Sequence, residues 1–218
     1  MSRKSKTHTK RIICIVLCSL LTGCLRYDPP EGYSEQHHTY DEMVEYAKSL
    51  DPQATVGEEY TDTEENYCKY RIWPAVINGI ECGVASESKK VWNEGLFAGE
   101  FAKEYYRFDT DHDYYIASDL LKKYPELGSM EDTTYSHFQY NDILVSEISA
   151  DSLTEDELDV LWVSYNSMYD EFTPRAICKT YWLEIDFADD ASFYIKDTQE
   201  DTIERLRERL REKGYLTD

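Results

Sequence analysis

The dipeptide Asn78-Gly79 constrains this chain more than any other feature, because it stands between the apolar runs Ile72-Trp73-Pro74-Ala75-Val76-Ile77 and Ile80-Glu81-Cys82-Gly83-Val84-Ala85. A two-residue hairpin turn needs positive φ at both centres, which Asn-Gly tolerates. Ile77 is then expected opposite Ile80, Ala75 opposite Cys82 and Trp73 opposite Val84, with all six on one apolar face. Pro74 has no N–H to give to a ladder, so its strand is expected at an edge or bent nearby. Residues 53–60 and 67–72 read as further strands, and the polar run Thr61 to Asn66 reads as a turn or loop.

Helical spacing recurs along the rest of the chain. Thr39 or Tyr40 opens a helix with Met43, Tyr46, Ala47 and Leu50 on one stripe before Pro52. Lys89 to Tyr106 also reads as a helix, with Val91, Gly95, Ala98, Gly99, Ala102 and Tyr105 or Tyr106 along one side. A third helix carries Ile116, Leu120, Leu121 and Tyr124, and Phe138 to Ile148 is strand-like. Thr154 and Glu157 form a capping box ahead of Leu158, Leu161, Trp162, Tyr165 and Met168 or Tyr169. Cys178 to Phe187 and Ser192 to Ile195 suggest a hairpin around Asp189-Asp190, and Asp197 to Glu200 a box for a last helix that Gly214 stops. Strands and helices do not alternate regularly as a doubly wound sheet would need, which favours α+β. The expected class is a single α+β domain over residues 39–218, with antiparallel hairpins forming a sheet packed by amphipathic helices.

The N-terminus has a different character. Arg3, Lys4, Lys6, Lys10 and Arg11 form a basic head before the apolar run Ile12 to Leu21, and the small pair Thr22-Gly23 precedes Cys24. As a helix this run spans only ~15 Å, about half of a bilayer core, so it reads as an export signal rather than a permanent span. Leu21-Thr22-Gly23-Cys24 resembles the lipobox of bacterial lipoprotein precursors. The resemblance covers residues 1–24 and implies cleavage between Gly23 and Cys24, with Cys24 becoming a diacylglyceryl-modified, palmitate-type anchor in the cell membrane facing outside the cytoplasm. Thiolate nucleophilicity suits thioether formation, and more than one acyl chain is needed for stable anchoring. The signal peptide is thus residues 1–23, and residues 24–38, rich in Pro and polar groups, read as a lipidated N-terminus and flexible tether. His37-His38 lie in that tether and read as functionally silent rather than as metal ligands.

Charge narrows the partners. The segment 1–23 holds five of the 23 basic residues and none of the 44 acidic ones, so its removal leaves 18 against 44, or −26. Such a balance disfavours nucleic acid and anionic headgroups. The lipid bilayer, through the acyl anchor, and an exported protein, peptide or glycan remain as partners.

Motifs for chemistry are sparse. Asp109-Thr110-Asp111-His112-Asp113 is the one local cluster with cation-site character, with Asp109, Asp111, His112 and Asp113 as candidate ligands. It departs from a calcium-binding EF-hand loop, with Tyr114 in place of the glycine and Leu120 in place of the bidentate Glu, and Asp113 reads better as a helix cap. No metal is assigned, and no cofactor is expected beyond the covalent diacylglycerol. Cys68, Cys82 and Cys178 are an odd set without CxxC spacing, read as three buried thiols. A Cys68–Cys82 bridge would need a bend at Pro74, and Cys178 is an equally good partner. There is no phosphate loop, GxSxG or HExxH, and no catalytic residue is assigned. The 19 tyrosines, including Tyr105-Tyr106, Tyr114-Tyr115 and Tyr135 with Tyr140, suggest a surface that stacks on sugar rings or grips a peptide. The expected function is an extracytoplasmic lipoprotein acting as a binding module, with a cell-surface hydrolase of wall polymer as the alternative. An uptake receptor is disfavoured by the chain's size.

Overall fold

A computed structural model describes residues 32–92, 101–138, 143–196 and 202–217. The chain is α+β. Helix α1 (Tyr40–Leu50) is followed by β1 (Thr55–Val56), β2 (Thr61–Glu65), β3 (Cys68–Ile77), β4 (Ile80–Trp92) and β5 (Phe101–Thr110). Then come α2 (His112–Leu121), a 3₁₀ turn (Pro125–Leu127), α3 (Thr134–Phe138) and β6 (Ile143–Ala150). The remainder is β7 (Leu153–Thr154), α4 (Glu155–Phe172), β8 (Thr180–Phe187), β9 (Ser192–Lys196), α5 (Ile203–Lys213) and β10 (Leu216–Thr217).

The first sheet grows from the Asn78-Gly79 turn, whose residues have φ of 50° and 77°. The register is the expected one: Ile77 pairs with Ile80, Ala75 with Cys82 and Trp73 with Val84. Trp73, Ala75, Ile77 and Val84 form a core with Met43 and Ala47 of α1, which begins with a Thr39–Glu42 capping box. Pro74 does not lie on an edge strand. β3 is flanked by β4 on one side and by two short strands on the other, β2 against residues 68–72 and β1 against 75–76. Pro74 occupies the gap between them, where its missing N–H breaks no ladder, and its carbonyl accepts from Gly57 N–H at 2.8 Å.

Two expectations for this region fail. Thr61 to Glu65 is strand rather than loop, with the turn confined to Asn66 and Tyr67, whose φ values are 49° and 66°. As an edge strand it needs no apolar face, so its sequence shows no strand periodicity. Of the helix expected over Lys89 to Tyr106, the described residues 89–92 and 101–106 are instead strand, in β4 and β5, which pair antiparallel with Lys89 opposite Tyr105 and Val91 opposite Lys103. Once β3 and β4 are paired, each further residue adds ladder bonds to an existing template, and the aromatic run Tyr105, Tyr106 and Phe108 favours strand. The small residues Gly95 and Gly99 lie outside the described residues.

The second sheet has the order β6-β8-β9. Here β6 and β8 are parallel, joined through α4 as a crossover, so the architecture is not purely antiparallel. β8 and β9 form the hairpin expected around Asp189-Asp190, with Asp190 at φ 63°. Phe138, the first residue of an expected strand, belongs instead to α3, and the described strand in that segment is Ile143–Ala150. Alternation buries Tyr181, Leu183, Ile185 and Phe187 against Leu158, Leu161, Tyr165, Met168 and Phe172 of α4, joined by Ile116 and Leu120 of α2 and Leu206 and Leu210 of α5. The Thr154–Glu157 capping box starts α4. The last helix is capped by Thr202, whose side chain accepts from Arg205 N–H, and ends at Gly214 with φ 80°; the box expected at Asp197 to Glu200 lies outside the described residues. Gly128, at φ 77°, allows a close backbone approach, since a Cβ there would sit 2.0 Å from the Glu147 carbonyl oxygen.

Candidate functional site

The polar residues that sequence reasoning singled out lie where the first sheet hands over to the second layer. β5 ends at Thr110 and α2 begins at His112, so Asp109 to Asp113 form a strand-to-helix corner against β4. The corner is tied down at Gly83, whose carbonyl accepts from Thr110 Oγ1 at 2.7 Å and whose N–H donates to Asp111 Oδ1 at 2.5 Å. A side chain at position 83 would begin 2.9 Å from Ile72 Cγ2 and 3.4 Å from Asp111 Oδ2, so the fit depends on glycine.

Asp109, Asp111, His112 and Asp113 do not converge on one point. Among the described residues, no group of three or more His, Cys, Asp or Glu side chains is placed to hold a metal ion. Asp113 is not the helix cap either: Asp111 holds the N-cap position, without a side-chain cap bond. Instead Asp113 reaches across to the chain leading into β8, where it accepts from the N–H groups of Ile177, Cys178 and Lys179 at 2.8–3.0 Å. Burial alone would raise its carboxyl, but the bonds from His112 and these three amides hold it below the usual carboxylate range. The ionised carboxylate can only accept, so His112 Nδ1, 2.8 Å away, carries the proton of that bond.

Asp109 anchors a buried chain of charges. Lys179 Nζ lies 3.1 Å from Asp109 Oδ1 and 2.7 Å from the Phe138 carbonyl, while Arg107 donates to Asp109 Oδ2 at 3.2 Å and to Glu87. Glu87, Asp109 and Lys179 are all buried. Burial pushes the Asp109 carboxyl up to about 7, opposed by Lys179 and Arg107. Two acids and two bases thus alternate from β4 through β5 to the start of β8, stitching the two layers together. Asp111, pushed up to about 6 by burial, leads outward: its Oδ2 is 3.9 Å from His137 Nδ1, and His137 Nε2 bonds Asp132 at 2.7 Å. The His137 ring lies 3.8 Å from that of Tyr114 and 5.9 Å from that of the exposed Tyr115, so the polar network reaches the surface through this aromatic edge.

The other side of the same sheet carries a second histidine cluster. Residues 32–38, the described end of the expected tether over 24–38, lie on the sheet, with Ser34 bridged to Tyr106 by bonds of 2.8 and 2.9 Å. His37 packs on Tyr106, and the buried His38 stacks on Phe108 at 3.6 Å. Both Nδ1 atoms and the His38 N–H approach Ser86 Oγ, at 3.2, 3.0 and 3.0 Å. A hydroxyl donates once and accepts twice, so it serves all three contacts only while one ring nitrogen is unprotonated. Burial lowers the pKa of both rings below 6.5; for His37, Arg71 adds to this while Asp62 and Glu104 oppose it, and for His38, Glu42 opposes it. The strap therefore contributes stability above pH 6.5 that is lost as pH falls through the lowered folded values. Hydrogen exchange at the Tyr106 amide, which donates to Ser34, is expected to lose protection over that range, and a flat protection profile would refute this account.

Cys68, Cys82 and Cys178 are thiols, but only Cys68 is buried. Cys82 is half-buried, with its thiol pushed up to about 12 by burial and Asp111, and Cys178 is exposed, which corrects the expectation of three buried thiols. Nor do the tyrosine pairs form one surface: Tyr105 is buried and Tyr106, its neighbour on the strand, faces the opposite side; Tyr114 is buried and Tyr115 exposed. Tyr140 lies outside the described residues. Sequence reasoning missed Lys179, Arg107, Glu87 and Ser86. A lysine at the head of the strand-like stretch Tyr181 to Phe187, whose apolar residues alternate with Glu184 and Asp186, was the signal available for the first of them.

No family model matches the chain, and neither any curated protein nor any solved structure matches it significantly.

Proposed function

We propose that this chain is a bacterial lipoprotein, cleaved before Cys24, anchored by acyl chains on that thiol and facing outside the cytoplasm, where its acidic domain acts as an interaction module. The observation that carries the localisation is Leu21-Thr22-Gly23-Cys24 behind its basic head and short apolar run. The interaction reading is supported by the way the catalytic-type side chains are used. Asp109, Asp113 and Lys179 are buried and engaged with each other's segments, and the Ser86 hydroxyl is buried beneath two histidines. These contacts hold layers together, whereas a hydrolase needs a carboxylate or hydroxyl poised toward an open cleft. Residues 34–38 then set where the domain sits relative to the anchor, since the strap fixes the chain at Ser34 and leaves about ten residues of reach, at most ~35 Å, from Cys24.

Cys24→Ala is expected to abolish acylation and to shift the protein from the membrane fraction to the uncleaved precursor or the medium. Fractionation with immunoblotting reads this out, and membrane retention of a cleaved Ala variant would refute the anchor.

A further inference from the structure

A groove of about 450 Å³ opens where the C-terminal end of β6 meets β7 and the first turns of α4. Its floor is aliphatic, formed by Ile148, Ala150, Leu153 and Leu161, and its lip carries Glu126, Asp156 and Glu157, with no Lys or Arg in the lining. Val160 continues the apolar surface from the lip, and Val163 lies one helical turn further along α4; they are 53% and 63% exposed. Valine suits neither place. A β-branched residue in a helix is less favourable than alanine, and at these exposures little burial offsets that cost. Local preference and position therefore conflict at two neighbouring sites, a pattern that concentrates at functional surfaces. Among the described residues β6 is also an edge strand, paired along its length with β8 and bridged on its outer side between Ser129 and Glu147.

Building on the interaction-module reading, we propose that this groove and the adjoining valines receive a segment of an exported partner protein that is aliphatic at its centre and carries Lys or Arg at its ends. Aliphatic side chains match the floor and the two valines. Basic ends match the three carboxylates of the lip, which would also steer the encounter in a salt-dependent way. A second copy of this chain fits poorly, because it would bring its own large negative charge toward an acidic lip. A glycan lacks the aliphatic surface that the floor calls for.

The test places the photo-crosslinking residue p-benzoylphenylalanine at Val163 and, in a separate variant, at the exposed Tyr67 of the β2–β3 turn, in intact cells producing the full chain. The captured peptide is sequenced by mass spectrometry, and the Val163 experiment is repeated with Asp156→Lys, an exposed change that leaves the core untouched. The expected result is capture from position 163 of one partner whose cross-linked segment is aliphatic with flanking Lys or Arg, with the yield falling about fivefold or more in Asp156→Lys. Capture of an acidic segment, of a second copy of this chain, or with a yield indifferent to Asp156→Lys would overturn the proposal. Capture from Tyr67 alone would leave an interaction module that binds through another face. Capture from neither position would remove both readings.

Discussion

Lys179→Met is expected to lower the unfolding free energy by about 3–5 kcal/mol, because it removes one partner of a buried charge pair while leaving the other in place. Methionine keeps most of the side-chain volume, so the loss is electrostatic: Asp109 retains Arg107 and the Thr110 N–H but loses the ammonium, and the Phe138 carbonyl loses its donor. Urea unfolding reads the loss as a lower midpoint at unchanged slope. Adding Asp109→Asn should restore about 1 kcal/mol or more above pH 7, where the carboxyl left without its ammonium would otherwise have to ionise. The pH dependence has a definite sign. A carboxyl raised from 3.8 to about 7 takes up a proton on folding, so its contribution is complete at low pH and is lost as pH rises through 7. Without Lys179 to oppose burial the carboxyl rises further, so that loss extends to higher pH. A cost under about 1 kcal/mol would mean that the charge chain does not hold the layers together.

Asp113→Ala is expected to cost about 3–5 kcal/mol, since three backbone N–H groups and one imidazole lose the same acceptor. Asp113→Asn, which keeps one acceptor oxygen, should recover part of this. Here the sign with pH is opposite to that of Asp109. The Asp113 carboxyl is held below 3.8 in the fold, so its stabilisation is present above that value and is lost as pH falls through the folded one. The difference between wild type and Asp113→Ala, measured by urea unfolding, should therefore shrink in acid. A difference independent of pH would point to lost packing rather than to the lost carboxylate.

These two residues also mark where sequence reasoning reaches and where it stops. Features encoded within a few residues were legible: the positive-φ turn at Asn78-Gly79 with its register, the helix start at Thr39 or Tyr40, the capping box at Thr154–Glu157, and the stop at Gly214. The segment Asp109 to Asp113 was legible as unusual, but its role was not. Asp109 meets Lys179 and Asp113 meets Ile177 to Lys179 across 64–70 residues of chain, and no local pattern encodes such a meeting. Misreadings arose where a periodic signal was weak or shared. The edge strand Thr61 to Glu65 buries no face, and Val91, Ala102 and Tyr105 fit a helical stripe as well as they fit a strand extended from an existing hairpin. His37 and His38, next to a proline-containing segment, carried no sign of the serine and aromatic rings that receive them.

The most direct measurement is the mass of the N-terminal tryptic peptide of the protein extracted from membranes. A lipoprotein cleaved between Gly23 and Cys24 yields Cys24-Leu25-Arg26 carrying a thioether-linked diacylglyceryl group, and this is the predicted result. An N-terminus elsewhere, or an unmodified Cys24 in membrane-bound protein, would contradict the account.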